Sequence, residues 1–285
     1  MGITIIQRSH AKTRKLNPRL ALVLAGGAVT GGAFKLGGLR ALDDYLVNRK
    51  VVDFDVYVGL SAGAFLAAPL AAGITPEDLV SSIDGDGDIG QFHILDVYFP
   101  NVGEMLSKPL EYVTDLVTYV PRALADVLMR APESVQRLRE PLETWIAEPT
   151  LDNLRGVAGV IVESLQTTHQ LPFPLTYLPS GLFDNRRIER FIRESFAARG
   201  FTNDFRALYE MRGKELYIVA VNLDTAERVV FGHDEDASLT ISQAVQATTA
   251  LPGFYKPARI NGIDYIDGGV RRTANLDVAI EHGAD

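Results

Sequence analysis

A parallel α/β sheet carrying a helical insertion is the fold class this sequence predicts, on three observations. Two strand, Gly-rich turn, helix units follow one another between Leu20 and Gly73, strand-like runs return after Glu215, and the stretch from about Phe92 to Pro179 is amphipathic and proline-rich. Strands that alternate with helices are joined by right-handed crossovers into a parallel sheet, whose ligand sites fall at the carboxyl ends of the strands. Both Gly-rich turns lie at such ends.

Leu20-Ala21-Leu22-Val23-Leu24 is a continuous apolar run between Pro18 and Gly26-Gly27, the pattern of a strand buried on both faces. After the turn, Phe34, Leu36, Leu39, Ala41, Leu42 and Leu46 recur at spacings of three and four, which predicts a helix that ends at Asn48-Arg49-Lys50. Asp53 to Val58 is the second strand, Gly59 to Gly63 a tight turn, and Ala64 to Ala72 a buried helix stopped by Gly73. The uncharged run from Val56 to Pro76 contains Gly59, Gly63, Pro69 and Gly73, so it reads as strand and helix and not as a membrane span. Pro100, Pro109, Pro121, Pro132, Pro141 and Pro149 punctuate the insertion, about 92–179, into several amphipathic helices without a fixed repeat period. Later strands are expected at Glu215 to Asn222, Glu227 to Phe231 and Asp264 to Ile266. The sequence stops at Gly283-Ala284-Asp285, after a helix and where the alternation asks for another strand, so a truncated C-terminus is expected. A basic arm, 1–18, precedes one domain, 19–285.

The chain has 285 residues, 47% of them apolar and 22% charged, enough to bury a core without covalent staples. With no cysteine, disulfides, thiolate nucleophiles and Cys-ligated zinc or iron–sulfur clusters are excluded. The net charge of -8 has the wrong sign for a generic nucleic-acid binder, so no nucleic-acid partner is expected. Arg8, Lys12, Arg14, Lys15 and Arg19 precede the first acidic residue, Asp43. This arm reads as a solvated tail, with peripheral contact with anionic membrane as the alternative. It lacks the apolar core of a secretory signal, and Ile6 breaks a myristoylation pattern, so a cytoplasmic protein is expected. The acidic run Asp84-Gly85-Asp86-Gly87-Asp88 lacks the glutamate of a calcium loop and reads as solvated. No metal and no organic cofactor is expected.

The turn Gly26-Gly27-Ala28-Val29-Thr30-Gly31-Gly32 follows a strand and opens a helix, but it has neither the glycine spacing of a dinucleotide site nor the lysine of a P-loop. Backbone N–H groups at such a helix start can hold an anion or a developing oxyanion, unless the glycines serve packing alone. Gly59-Leu60-Ser61-Ala62-Gly63 is a G-x-S-x-G between strand and helix. That context makes Ser61 the nucleophile of a strained elbow, with an inert packing turn as the alternative. None of His10, His93, His169, His233 and His282 sits where a base is recognisable, whereas Asp267-Gly268-Gly269 follows a short strand and could aim a carboxylate into a cleft. A carboxylate is a weak base in water, so a desolvated site would have to raise its pKa.

Taken together, these residues resemble the patatin-like phospholipase family. The resemblance rests on Leu24 to Leu42, on the Gly59 to Gly63 elbow, on Gly181-Leu182-Phe183-Asp184, on Ala244 to Phe254, on Asp267-Gly268-Gly269 and on Ala279 to Asp285. It implies a three-layer α/β/α fold with a mainly parallel central sheet, and a lipid acyl hydrolase of phospholipase A or neutral-lipid esterase type, a serine carboxylic ester hydrolase acting through an acyl-enzyme. In that reading Ser61 and Asp267 form a dyad without histidine, and Gly26, Gly27 and Ala28 hold the oxyanion, with Gly31 and Ala62 completing the substrate-binding turn. The family loop reads three glycines, any residue, arginine or lysine, then glycine; here Ala28 and Thr30 depart from it. Thr30 removes the loop cation, which predicts a slow enzyme, and Ala28 keeps a backbone N–H to donate, so the oxyanion hole is expected to be intact provided that φ there is negative. The rivals are a catalytically weak lipid-binding protein on the same fold, and a Ser-His-Asp esterase using His233 or His282.

Overall fold

A computed structural model describes residues 18–84, 94–165 and 172–285. The basic arm through residue 17, the acidic residues 85–88, and Phe92, His10, His93 and His169 lie outside these. In chain order the elements are β1 (Ala21–Leu24), α1 (Ala28–Tyr45), β2 (Val56–Gly59), α2 (Ala62–Ala72), α3 (Pro76–Asp84), α4 (Ile94–Val97), α5 (Val102–Ala147) and α6 (Leu151–Leu165). They continue through β3 (Gly181–Phe183), α7 (Arg186–Ala198), α8 (Phe205–Arg212), β4 (Glu215–Asn222), β5 (Arg228–Phe231), α9 (Ile241–Thr249), β6 (Gly253–Tyr255), β7 (Ala258–Ile260), β8 (Ile263–Asp267) and α10 (Leu276–Glu281). Two compact units result, Met1–Asn101 with Ser180–Asp285, and Val102–Pro179.

The first unit is built on a six-stranded sheet in which β1, β2 and β4 run parallel. Tyr57, Leu216, Ile218 and Ala220 point from one face into a core shared with Leu36 and Leu39 of α1, Leu66 and Leu70 of α2, Ile192 of α7 and Val245 of α9. From the opposite face Val56, Val58, Tyr217 and Val219 pack against Val278 and Ala279 of α10. Helices on both faces explain why every residue of β2 is buried and why the sequence there is continuously apolar. The edges of β4 decide the site. At Ile218, β2 and β5 occupy opposite edges, and at Ala220, β5 and β8 do so. The antiparallel β8 therefore takes over the edge that β2 leaves, and Asp267, paired with Ala220, enters just beyond Gly59, paired with Ile218.

The second unit corrects two expectations. It begins at Val102, not near Phe92, because α4 and the segment after it belong to the first unit, where Pro100 bridges Phe183 and the Asn101 N–H donates to Leu182 O at 2.9 Å. Instead of several proline-punctuated helices, α5 is one helix of 46 residues that runs through Pro109, Pro121, Pro132 and Pro141. Each proline forfeits one hydrogen bond, and strong helix formers such as Glu111, Arg122, Arg139 and Glu143 carry the helix across while α6 packs along it. Among the described residues no helix is long and apolar enough to cross a membrane.

Candidate active site

The elbow is held by close approach. A Cβ at Gly63 would sit 2.0 Å from the Leu24 carbonyl oxygen, and one at Gly59 would sit 2.5 Å from Ala64 Cα, so the start of α2 packs directly on β1 and β2. Between them Ser61 adopts φ +53° and ψ −127°, a left-handed conformation that a non-glycine residue takes at a cost of about 1–3 kcal/mol. Gly63 N–H donates to Leu60 O at 2.7 Å and Ala64 N–H to Ser61 O at 2.9 Å, which closes the turn into the helix. The Ser61 N–H donates to Thr248 Oγ1 at 3.0 Å, and the Thr248 hydroxyl in turn donates to Val219 O on β4. A single hydroxyl in α9 thus fastens the strained residue to the sheet.

Asp267 meets this serine. Its carboxylate accepts from the Gly269 N–H at 2.8 Å, the neighbouring Ser61 side chain favours its charged form, and its own N–H donates to Ala250 O at 2.9 Å. Burial, at 3% exposure, holds its pKa above the ordinary carboxylate range, although the Ser61 side chain and the Gly269 N–H pull the other way. Gly268 is required beside it, because a Cβ there would meet Val219 O at 2.6 Å.

The Gly-rich turn flanks the pair. A Cβ at Gly26 would lie 3.4 Å from Ser61 Cβ and 4.0 Å from Ser61 Oγ, and one at Gly32 would lie 3.6 Å from Ala62 Cβ. Since α1 starts at Ala28, the N–H groups of Ala28, Val29 and Thr30 are among its first, unpaired donors. Gly31 is different, because its N–H is committed to Gly27 O at 2.8 Å. Ala28 sits at φ +51° and not at the negative φ expected for it, so alanine occupies a left-handed position that favours glycine.

Sequence reasoning missed Lys35. Its ammonium donates to Gly26 O at 2.8 Å and to Gly31 O at 3.2 Å, clasping both ends of the turn, and burial lowers its pKa. The signal was available as helical spacing, since Lys35 follows Gly31 by one turn of α1. Asn185 was also missed; its side-chain amide donates to Gln246 O at 2.7 Å and Thr249 Oγ1 at 3.1 Å, tying the start of α7 to α9. Asp184, quoted only as part of a motif, is a buried ion-pair centre: Arg186 and Lys256 reach it at 2.7 and 2.9 Å.

The histidines have other partners. The His282 ring stacks on Tyr217 at 4.0 Å and its Nδ1 lies 3.0 Å from the Tyr217 hydroxyl, while Nε2 lies 3.3 Å from Glu235. His233 stacks on Tyr209 at 4.0 Å and lies 3.3 Å from Asp234. Among the described residues no group of three His, Asp or Glu side chains is placed to hold a metal ion.

Comparison with known proteins adds three findings. A family model described as patatin-like phospholipase matches residues 22–280. "Probable lipid hydrolase 463L" of Invertebrate iridescent virus 6 is 24% identical over 104 residues, 36% of this chain and 36% of that protein, so the match spans about a third of its length. The crystal structure of VipD from Legionella pneumophila is 19% identical with a TM-score of 0.39, over 92% of this chain and 51% of that one.

Proposed function

The chain belongs to the patatin-like phospholipase family, with its family match covering most of its length, and from that membership we propose that it hydrolyses an acyl ester of a lipid through Ser61 and Asp267. The observation that carries this reading is the placement of a buried carboxylate, its pKa raised by desolvation, next to an elbow serine whose side chain favours its charged form. In the first step Asp267 takes the Ser61 hydroxyl proton as Oγ attacks the ester carbonyl carbon. The resulting oxyanion is received by backbone N–H groups of the Gly26 to Ala28 turn and of Ala62 at the start of α2, where the helix dipole also favours negative charge. Collapse of this intermediate breaks the ester C–O bond, and the proton held by Asp267 passes to the departing alcohol. Water then attacks the acyl-enzyme with Asp267 again as base, which releases the fatty acid and restores Ser61.

Lys35 belongs to the same reading as a positioning residue. The family loop carries its cation where this chain has Thr30, and Lys35 brings an ammonium to the turn from the following helix instead. Holding the two carbonyls leaves the turn's N–H groups free for the oxyanion. Lys35→Met is expected to lower kcat about tenfold with little change in KM. The alkaline limb of the wild-type profile should begin below the ordinary lysine pKa of 10.5, because burial lowers that of Lys35, and Lys35→Arg should restore activity and move the limb upward. Unchanged kcat in Lys35→Met would remove it from the machinery.

A fluorophosphonate probe followed by mass spectrometry tests the assignment. Labelling is expected at Ser61 alone and is abolished in Ser61→Ala, while Asp267→Asn should reduce ester hydrolysis by about 100-fold or more. Replacing His233 and His282 together should leave most activity; loss there, with activity kept in Asp267→Asn, transfers the chemistry to a histidine triad. A wild-type protein that binds lipid vesicles without turnover makes it a lipid-binding member of the family.

A further inference from the structure

A concave site shares none of its lining with Ser61, Asp267 or the Gly26 to Ala28 turn. Arg186, Arg190 and Arg193 of α7 line a cavity of about 390 Å³ together with Glu189, Gln246 of α9 and Arg259 of β7. Its volume is that of a small-molecule site. Four arginines against one glutamate give the wall a formal charge of +3 on a chain whose net charge is -8, so the concentration of cations is local. The α7 arginines recur at intervals of four and three, which places like charges side by side on one helix face, an arrangement that works against the helix.

Internal partners offset this only in part. Arg186 pairs with Asp184 at 2.7 Å, Arg193 with Glu189 at 3.0 Å and Arg259 with Asp264 at 3.0 Å, and among the described residues Arg190 makes no ion pair. These three paired side chains remain 69%, 50% and 69% exposed. A guanidinium has five N–H donors, so each pair leaves donors unused.

We propose that this arginine-lined cavity binds a phosphate-bearing anion. Phosphate presents several charged oxygens to the planar fork of arginine, which meets them two at a time, and converging guanidinium groups suit a group that carries more than one negative charge. A phosphorylated lipid headgroup and a free phosphorylated small molecule share this chemistry. None of the lining residues takes part in the chemistry assigned to Ser61, so the site stands or falls independently of that assignment.

The experiment uses the full chain and two probes, soluble inositol 1,4,5-trisphosphate by calorimetry, and phosphatidylcholine vesicles with and without phosphatidylinositol 4,5-bisphosphate by sedimentation. Wild type is expected to bind at least one phosphorylated probe and not plain phosphatidylcholine vesicles. Arg190→Gln with Arg259→Gln should weaken binding at least about tenfold, each lost guanidinium removing charge-assisted hydrogen bonds. Arg137→Gln with Arg139→Gln, which removes the same charge from exposed positions of α5, should leave binding unchanged. Binding of the soluble probe without the vesicles identifies a free ligand, and binding of the vesicles, with or without the soluble probe, identifies a lipid headgroup. Absence of binding to both probes, or equal weakening by both double variants, overturns the proposal. Should the Arg190 and Arg259 double variant fail to fold, Arg190→Gln alone decides, and equal affinity in that variant is equally fatal.

Discussion

Burial of Asp267 raises its carboxyl pKa, so the folded protein holds a proton there that the unfolded chain releases. The corresponding stability is fully present below the ordinary carboxylate pKa of 3.8 and is lost as pH rises through the raised folded value. Once ionised, this carboxylate therefore weakens the fold that presents it. Asp267→Asn should melt no lower than wild type at about pH 7, and its melting temperature should vary less across the acidic range, while turnover falls. A lower midpoint at neutral pH would mean that the Gly269 hydrogen bond outweighs the desolvation. A parallel conflict exists at Ser61, whose left-handed backbone costs stability that glycine would recover. We expect Ser61→Gly to be more stable than Ser61→Ala by about 1 kcal/mol in denaturant unfolding, both variants being inactive. The elbow was legible in the sequence because its two glycines stand where no Cβ fits, a constraint that has a fixed sequence spacing. Thr248 was not legible as a site residue, since it reaches Ser61 across 187 positions, whereas the one-turn spacing of Lys35 from Gly31 was a legible signal.

At the scale of elements, β3 and β6 are two three-residue strands that pair parallel in a sheet of their own. Neither was predicted, because three residues carry no periodicity and β6 begins at Gly253 immediately after Leu251-Pro252. What fixes them is polar. Asp184 follows β3, and its two oxygens accept from the Arg186 N–H and side chain and from Lys256 next to β6. Although burial alone would raise its pKa, Lys256 and Arg186 bring it below the usual range. Its stabilisation is therefore present above the ordinary carboxylate pKa and lost as pH falls through the lower folded value. Asp184→Ala removes the buried acceptor shared by Arg186 and Lys256, and we expect a loss of about 2 kcal/mol at neutral pH in chemical denaturation, shrinking toward acid. A loss below about 1 kcal/mol would show that the pair's partners reach water freely. The first two strands and the helices that follow them were readable to within a few residues because both sheet faces are covered, which forces continuous apolar runs.

For the whole molecule, Asn101 closes the first unit where the chain leaves it. Its N–H bonds Leu182 O at 2.9 Å and its side-chain amide bonds Gly181 O at 3.0 Å, so positions on either side of Val102–Pro179 are fastened to each other. We propose that this segment is an insertion into a hydrolase domain that can fold without it. Replacing residues 102–179 by a short Gly-Ser linker should preserve a cooperative thermal transition and fluorophosphonate labelling of Ser61, because loop closure between ends already in contact costs little. A linker variant without a cooperative transition makes the helices part of the folding unit. The amphipathic pattern of this region identified it as helical, yet four prolines suggested breaks that the helix does not take.

The shared edge of β4 also has a consequence in time. Asp267 follows Ser61 by 206 positions and reaches it only when β8 settles on the length of β4 that β2 leaves open. During synthesis Ser61, its two flanking glycines and the Gly26 to Ala28 turn all leave the ribosome before Asp267 is made. On the proposed mechanism the nascent chain at that stage carries the nucleophile without its base, and competence arrives only with one antiparallel strand.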